Sequence, residues 1–263
     1  MFHTVAYSFT SGAATATDAD MTLVSDPSVT NLNGHPIFPI PTWIQWIYAM
    51  GATMTRVRLS APRVRPITRP VINPCDNSST PSFPHMLMEF FRHPIQLNPV
   101  EEIQFLTTKT SAIAETDTVY LTVGDNQRNV PQGDMYVLRC TSTNGVIALA
   151  WQPAALTADD TLQVGRYSII GLHVVNTTAQ AARLIFPGAP VQGGLPQIRP
   201  GCLTVSSDNS QNFYQLRYGI QGEYGQFESF ALPQTEVLGA VAPTAATETF
   251  FDIVDVRVGA RAQ

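Results

Sequence analysis

Apolar and polar side chains alternate with a period of two along much of this chain. In Tyr214-Gln215-Leu216-Arg217-Tyr218-Gly219-Ile220-Gln221 the apolar residues fall on one face and the polar ones on the other. That is the pattern of a half-buried antiparallel strand. Val254-Asp255-Val256-Arg257-Val258 repeats it near the C-terminus, as does Thr118-Val119-Tyr120-Leu121-Thr122-Val123 in mid-chain. The same reading predicts strands over 5–10, 21–24, 53–59, 135–140, 146–151 and 166–175. Twenty prolines and seventeen glycines separate these runs, as expected for many strands joined by loops. Long helices are not expected. Pro99-Val100-Glu101-Glu102-Ile103-Gln104-Phe105-Leu106 predicts a short helix, with Glu101 and Glu102 placed to cap its dipole. Pro233-Gln234-Thr235-Glu236-Val237-Leu238 predicts another that stops at Gly239, with Glu236 in the capping part. Trp43, Trp46, Ile47 and Met50 have helical spacing but run into a strand-like stretch, so this segment stays open between helix and strand.

Three signatures occur twice in the same order. Arg58-Leu59-Ser60-Ala61-Pro62 is followed by Ile72-Asn73-Pro74 and then Pro99-Val100-Glu101-Glu102. Arg183-Leu184-Ile185-Phe186-Pro187 is followed by Ile198-Arg199-Pro200 and then Pro233-Gln234-Thr235-Glu236. The second set trails the first by 125, 126 and 134 positions, a drift that loop insertions would produce. A unit of that length is a whole domain rather than a solenoid repeat. The expectation is two copies of one domain, over 1–130 and 131–263, with a short linker around 124–133. Several strands per copy, a long Pro-rich excursion and uneven loops favour a jelly roll. The predicted class is all-β: two tandem jelly-roll β-sandwiches, a double jelly roll, with short helices in the loops.

Charged residues make up 13% of the chain and hydrophobic ones 44%, so much of the surface carries no charge, which favours assembly with partners. A net charge of −5 argues against a sequence-specific nucleic-acid binder. Cys75, Cys140 and Cys202 have no metal spacing and an odd count, so buried free thiols are expected. Met1-Phe2-His3-Thr4 lacks the basic start of a secretion signal, and no segment has the apolar length to span a bilayer. Synthesis and retention in a cytoplasm is the expectation. The sequons at Asn77 and Asn176 are then chance matches.

Catalytic signatures are absent: no GxSxG, HExxH, GxxxxGK[ST] or GxGxxG occurs. His85 and His93 could meet Glu89, but they sit beside Pro84 and Pro94 and read as loop histidines; His3, His35 and His173 form no HxH pair. Asp159-Asp160 reads as a turn. Arg56, Arg58, Arg63, Arg65 and Arg69 form the densest positive run, better explained by a solvated face or intersubunit salt bridges than by binding nucleic-acid or lipid phosphate. Trp43, Trp46, Tyr48, Phe90 and Phe91 read as core or interface anchors. No catalytic, cofactor-binding or metal site is assigned, and no cofactor is expected.

Two jelly rolls in tandem, with the duplicated Arg-Leu-x-x-Pro, Ile-x-Pro and Pro-x-x-Glu signatures, resemble the double jelly-roll major capsid proteins of tailless icosahedral viruses, in particular membrane-containing bacteriophages. The resemblance covers the whole chain and is architectural. It implies a structural virion protein and not an enzyme, forming pseudo-hexagonal homotrimers that tile an icosahedral shell, assembled in the host cytoplasm. Its implied partners are further copies of itself, penton and minor capsid proteins, and in some such shells an internal lipid membrane. Segments 31–41, 62–84 and 187–200 would be tower or contact loops. Two alternatives are a phage spike or receptor-binding subunit, and a double jelly-roll glycan-active hydrolase, for which Glu89, Glu223 and Glu228 are the only loose carboxylates.

Overall fold

The computed structural model describes residues 2–64, 71–72, 88–89, 95–125, 131, 133–187, 199–206 and 223–256. The predicted strand 214–221 lies outside the described residues, as do Cys75, His85, His93, Phe90, Phe91, Arg65 and Arg69. The described residues form two compact units, one running from Thr4 to Asp125 and the other from Pro131 to Val256. Phe2 and His3 group with the second unit, where Arg199 donates its N–H to the Phe2 carbonyl at 3.1 Å.

The first unit contains β1 (Phe2–Ser11), β2 (Ala16–Asp20), β3 (Thr22–Leu23), β4 (Thr30–Leu32), β5 (His35–Ile37), β6 (Thr42–Met50), β7 (Met54–Ser60), β8 (Val71–Ile72), β9 (Met88–Glu89), β10 (Ile95–Leu97), β11 (Gln104–Lys109) and β12 (Glu115–Gly124). One sheet runs β10-β6-β12-β1-β3, with β9 also on β6; the other runs β2-β11-β7-β8. Let B to I denote β1, β2, β6, β7, β8, β10, β11 and β12. The sheets then read G-D-I-B and C-H-E-F, the strand order of a jelly roll. Val5, Tyr7, Ile44, Ile47, Leu59, Phe105, Leu121 and Val123 fill the space between them.

The second unit contains β13 (Met135–Thr143), β14 (Gln152–Ala155), β15 (Thr157–Ala158), β16 (Arg166–Val175), β17 (Ala181–Ile185), β18 (Gly201–Val205), β19 (Gly225–Glu228), β20 (Gln234–Leu238) and β21 (Ala246–Asp255). Its order is β14-β20-β17-β18-β16-β21-β13-β15, with β19 on β16. Leaving out β15, this is C-H-E-F and G-D-I-B again. Here the two sheets are joined by a short parallel pairing of β16 with β18, Val174 to Thr204 and Val175 to Val205. The chain is an all-β double jelly roll.

Ladder register shows how closely the copies correspond. Ile44 pairs with Val123 and Ile95, as Ile169 pairs with Ile253 and Gly225. Val57 pairs with Ile72 as Ala182 pairs with Cys202, and Arg58 with Leu106 as Arg183 with Glu236. Strands D and E therefore correspond at 125 positions, and F, G, H and I all at 130. The second copy is longer by five residues between E and F and matches the first in length from there through I. In both copies the D strand carries a β-bulge, at Gln45 and at Ile170, again 125 apart.

Several expectations change. Of the three sequence signatures only Arg-Leu-x-x-Pro lies at corresponding places. Ile72 corresponds to Cys202 rather than Ile198, and Pro99 does not correspond to Pro233, because each match is displaced by four residues. Both predicted helices are extended: Gln104–Lys109 and Gln234–Leu238 are H strands. Thr107 and Phe105, like Thr235 and Val237, are buried among neighbouring strands, and cross-strand partners outweigh the helical start signals. The undecided segment is the D strand. Its helical spacing comes from the bulge, which shifts the inward face from Ile44 to Ile47. Residues 146–151 form a turn rather than a strand. Leu149 takes a left-handed φ of 51° and donates to the Gly239 carbonyl at 2.9 Å, while the Asn144 side chain ties the start of β14 to Thr235.

Candidate functional site

Of the arginine run, Arg56 and Arg58 form ion pairs within their own unit, on its C-H-E-F sheet, rather than between subunits. Arg56 and Arg58 sit on β7, and Asp18 on β2 reaches both across β11, at 3.5 Å from Arg56. Thr108 on the intervening strand receives a hydrogen bond from Arg56 at 3.3 Å and donates to Asp18 at 3.3 Å. One carboxylate offsets half the charge of the two guanidiniums and holds both in place on the sheet. Arg63 is exposed, and its backbone N–H donates to the buried Glu101 carboxylate, which also accepts from Asn98 N–H at 2.6 Å. Glu101 thus holds a loop together, where a helix cap was expected.

In the second unit the corresponding sheet buries its charge. Arg183, fully enclosed, donates to Glu236 at 2.6 Å, and Arg199 donates to the same oxygen at 2.6 Å. The Trp151 ring lies under the Arg183 guanidinium, 4.0 Å from centroid to Cζ. Glu236 was expected to cap a helix. It bridges strands E and H instead, at the position where the first copy has Leu106.

A second buried cluster closes one end of the first unit. Lys109 at the end of β11 donates to Ser11 Oγ at 2.5 Å and to the Ile113 carbonyl, and lies 3.5 Å from Glu115. Glu115 accepts from the Thr53 N–H and hydroxyl, and Thr107 donates to Asp117 at 3.2 Å. No sequence signal marked these residues, because the partners lie far apart in the chain.

Glu89 lies on β9 of the first unit. Glu223 and Glu228 belong to the second, where Glu223 accepts from the Ser168 hydroxyl and Glu228 from Arg166 Nε at 2.9 Å. Asp159 pairs with Arg139, which also holds Glu248 at 2.7 Å. His35 Nε2 sits 3.1 Å from Asp20 and 3.6 Å from Glu102, and His173 packs against Phe250. Among the described residues no group of His, Cys, Asp and Glu could hold a metal ion. A cavity of about 270 Å³ in the second unit, lined by Tyr136, Leu138, Leu162, Tyr167, Ile253 and Asp255, is small for a ligand pocket. Burial pushes the Cys140 thiol up to about 12, with the Asp159 charge adding to the shift, and burial likewise raises Cys202. Both are free and buried.

What both copies display is an apolar residue at the same place. Val100 and Phe230 are 130 positions apart, each in the loop that leads into strand H, and are 58% and 81% exposed. Val100 donates its N–H to the Phe38 carbonyl at 2.7 Å, and Ser229 donates to the Gly165 carbonyl at 2.9 Å. In each copy the loop before H thus leans on the loop before D. Ile40 and Val164 in those D-side loops are exposed as well.

No protein-family model matches the chain, and no curated protein matches it. Among solved structures it is similar over its whole length to two viral shell proteins. One is the major capsid protein P2 from bacteriophage PM2, at 11% identity and a TM-score of 0.22, covering 97% of each chain. The other is the STIV major capsid protein, at 11% identity and a TM-score of 0.23, covering 98% of each chain. Strand order and register, rather than these superpositions, carry the assignment of the fold.

Proposed function

We propose that this chain is a structural protein of a virus shell, a major capsid protein that works by self-association. The observation that carries the reading is the in-register duplication, with an exposed apolar residue kept at the same place in both copies. One polypeptide with two like barrels, one over 1–130 and one over 131–263, gives a trimer six like sides, which suits a hexagonal lattice. The scarcity of charge leaves surface suited to burial between copies. In this reading the protein resides in the virion after assembly in the host cytoplasm. It contacts neighbouring trimers, penton and minor proteins, and in a membrane-containing virion the lipid beneath. The engagement of Glu223 with Ser168 and of Glu228 with Arg166 favours assembly over hydrolysis.

The test is the mass of the native purified protein by multi-angle light scattering, with negative-stain images of the same sample. Trimers of hexagonal outline, or shells, are expected. A monodisperse monomer at high concentration would overturn the proposal.

A further inference from the structure

Glu115 and Asp117 lie two residues apart on β12, so their side chains share a face of the strand. Asp117 is fully buried, and the Glu115 side chain is only 10% exposed. Among the described residues the one cation facing them is Lys109, itself enclosed and shared with Ser11 and the Ile113 carbonyl. β1 brings Ser11, the turn between β6 and β7 brings Gly51 and Thr53, and β11 brings Thr107 and Lys109. None of these besides Lys109 is charged. Asp18, Arg56 and Arg58 of β2 and β7 are engaged with one another around Thr108. Gly51 closes the remaining side, since a Cβ built there would fall 2.2 Å from Asp117 Oδ1.

Two enclosed carboxylates therefore face one shared ammonium. Asp117 Oδ1 is buried and has no donor, and the Glu115 carboxylate stands two residues away on the same face. An enclosed acid with an orphaned oxygen beside a like charge is favoured in its protonated form.

We propose that Glu115, Asp117 and Lys109 form a proton-operated clamp at this end of the first jelly roll. With a proton on Asp117, the clamp ties β1, the β6–β7 turn and the β11–β12 turn together. When that proton leaves, two enclosed carboxylates share the single ammonium of Lys109, one negative charge goes uncompensated, and the end loosens. The enclosure that makes the proton necessary also bars substrate, so the arrangement senses pH rather than catalysing a reaction. Burial first, and then the Glu115 charge, push the Asp117 carboxyl up to about 6, against the Thr107 hydrogen bond and the Lys109 charge. The working range is accordingly mildly acidic to neutral. The inference is independent of the capsid reading.

The Thr53 amide, which donates to Glu115 at 3.0 Å, reports the state of the clamp. Hydrogen exchange at that amide would be followed in the full chain at pH 5 and pH 7, corrected for the intrinsic rate. An opened Asp117 returns to an ordinary carboxyl near 3.9. Protection should then be about tenfold greater at pH 5 than at pH 7 in the wild type, and the same at both in Asp117→Asn. Equal protection at the two pH values in the wild type, or a wild-type slope retained by Asp117→Asn, would overturn the clamp. Should Asp117→Asn fail to fold, infrared spectra of wild-type protein with carboxyl-labelled aspartate decide the matter. A protonated-carboxyl band that disappears as pH rises through 6 supports the clamp, and full ionisation at pH 5 rejects it.

Discussion

Val100 is a β-branched residue held at φ 59°, a left-handed conformation such side chains rarely adopt. Its side chain stands in solvent, so the strain gains nothing from packing within its own unit. Val100→Gly should raise stability by about 1 kcal/mol, read as a higher urea midpoint with an unchanged slope. Asp117 bears on stability with the opposite dependence from an ordinary carboxylate. Its folded pKa, about 6, lies above the unfolded value, so the folded state binds the extra proton. Stability should increase by about 2 kcal/mol as pH falls from 7 to 4, and Asp117→Asn should remove that gain in pH-dependent urea titrations. Cys140 and Cys202 should resist thiol reagents in the folded protein and react only after unfolding, as mass spectrometry of alkylated samples would register. At this scale Arg58 and Arg183 were legible in the sequence, because each sits in a repeated string. Lys109 and Asp117 were not. Lys109 meets Ser11, 98 residues away, and only strand pairing brings them together.

β12 and β13 lie where alternation placed strands, although β12 is as enclosed on both faces as β6, so burial alone does not erase the signal; in β6 the alternation is broken at Gln45. Its bulge then imitated the spacing of a helix. The H strands were misread because proline and glutamate mark helix starts, yet here Glu101 ties the loop before its strand and Glu236 has a cross-strand partner. Glu236 shows what that partner is worth. Glu236→Gln leaves the Arg183 and Arg199 guanidiniums together without their shared carboxylate, and should cost about 3 kcal/mol in the unfolding free energy of the second unit. A loss below 1 kcal/mol would mean that the charges are solvated on the time average. The β4–β5 hairpin has its own local cause: Asn33 and Gly34 both take positive φ, the geometry of a two-residue turn.

For the whole molecule, the in-register copies make a prediction that neither copy makes alone. If Val100 and Phe230 serve like contacts, Val100→Ser and Phe230→Ser should each weaken association, and the double variant should shift the light-scattering mass furthest towards monomer with its strand content unchanged. Two domains were legible from the repeated strings, although two of the three strings matched by coincidence and the true correspondence emerges only in the ladders. The parallel seam between β16 and β18 also sets how each unit bears load. Prising apart the two sheets of the second sandwich requires breaking backbone hydrogen bonds along Val174–Val175 and Thr204–Val205. Among the described residues the two sheets of the first sandwich have no such parallel pairing; the chain from β2 into β3 is hydrogen-bonded to β11 of one and β1 of the other, and side-chain packing supplies the rest. Under mechanical tension normal to the sheets, the first unit should yield at lower force, so a wall built from this chain would have a soft barrel and a stiff one in every subunit.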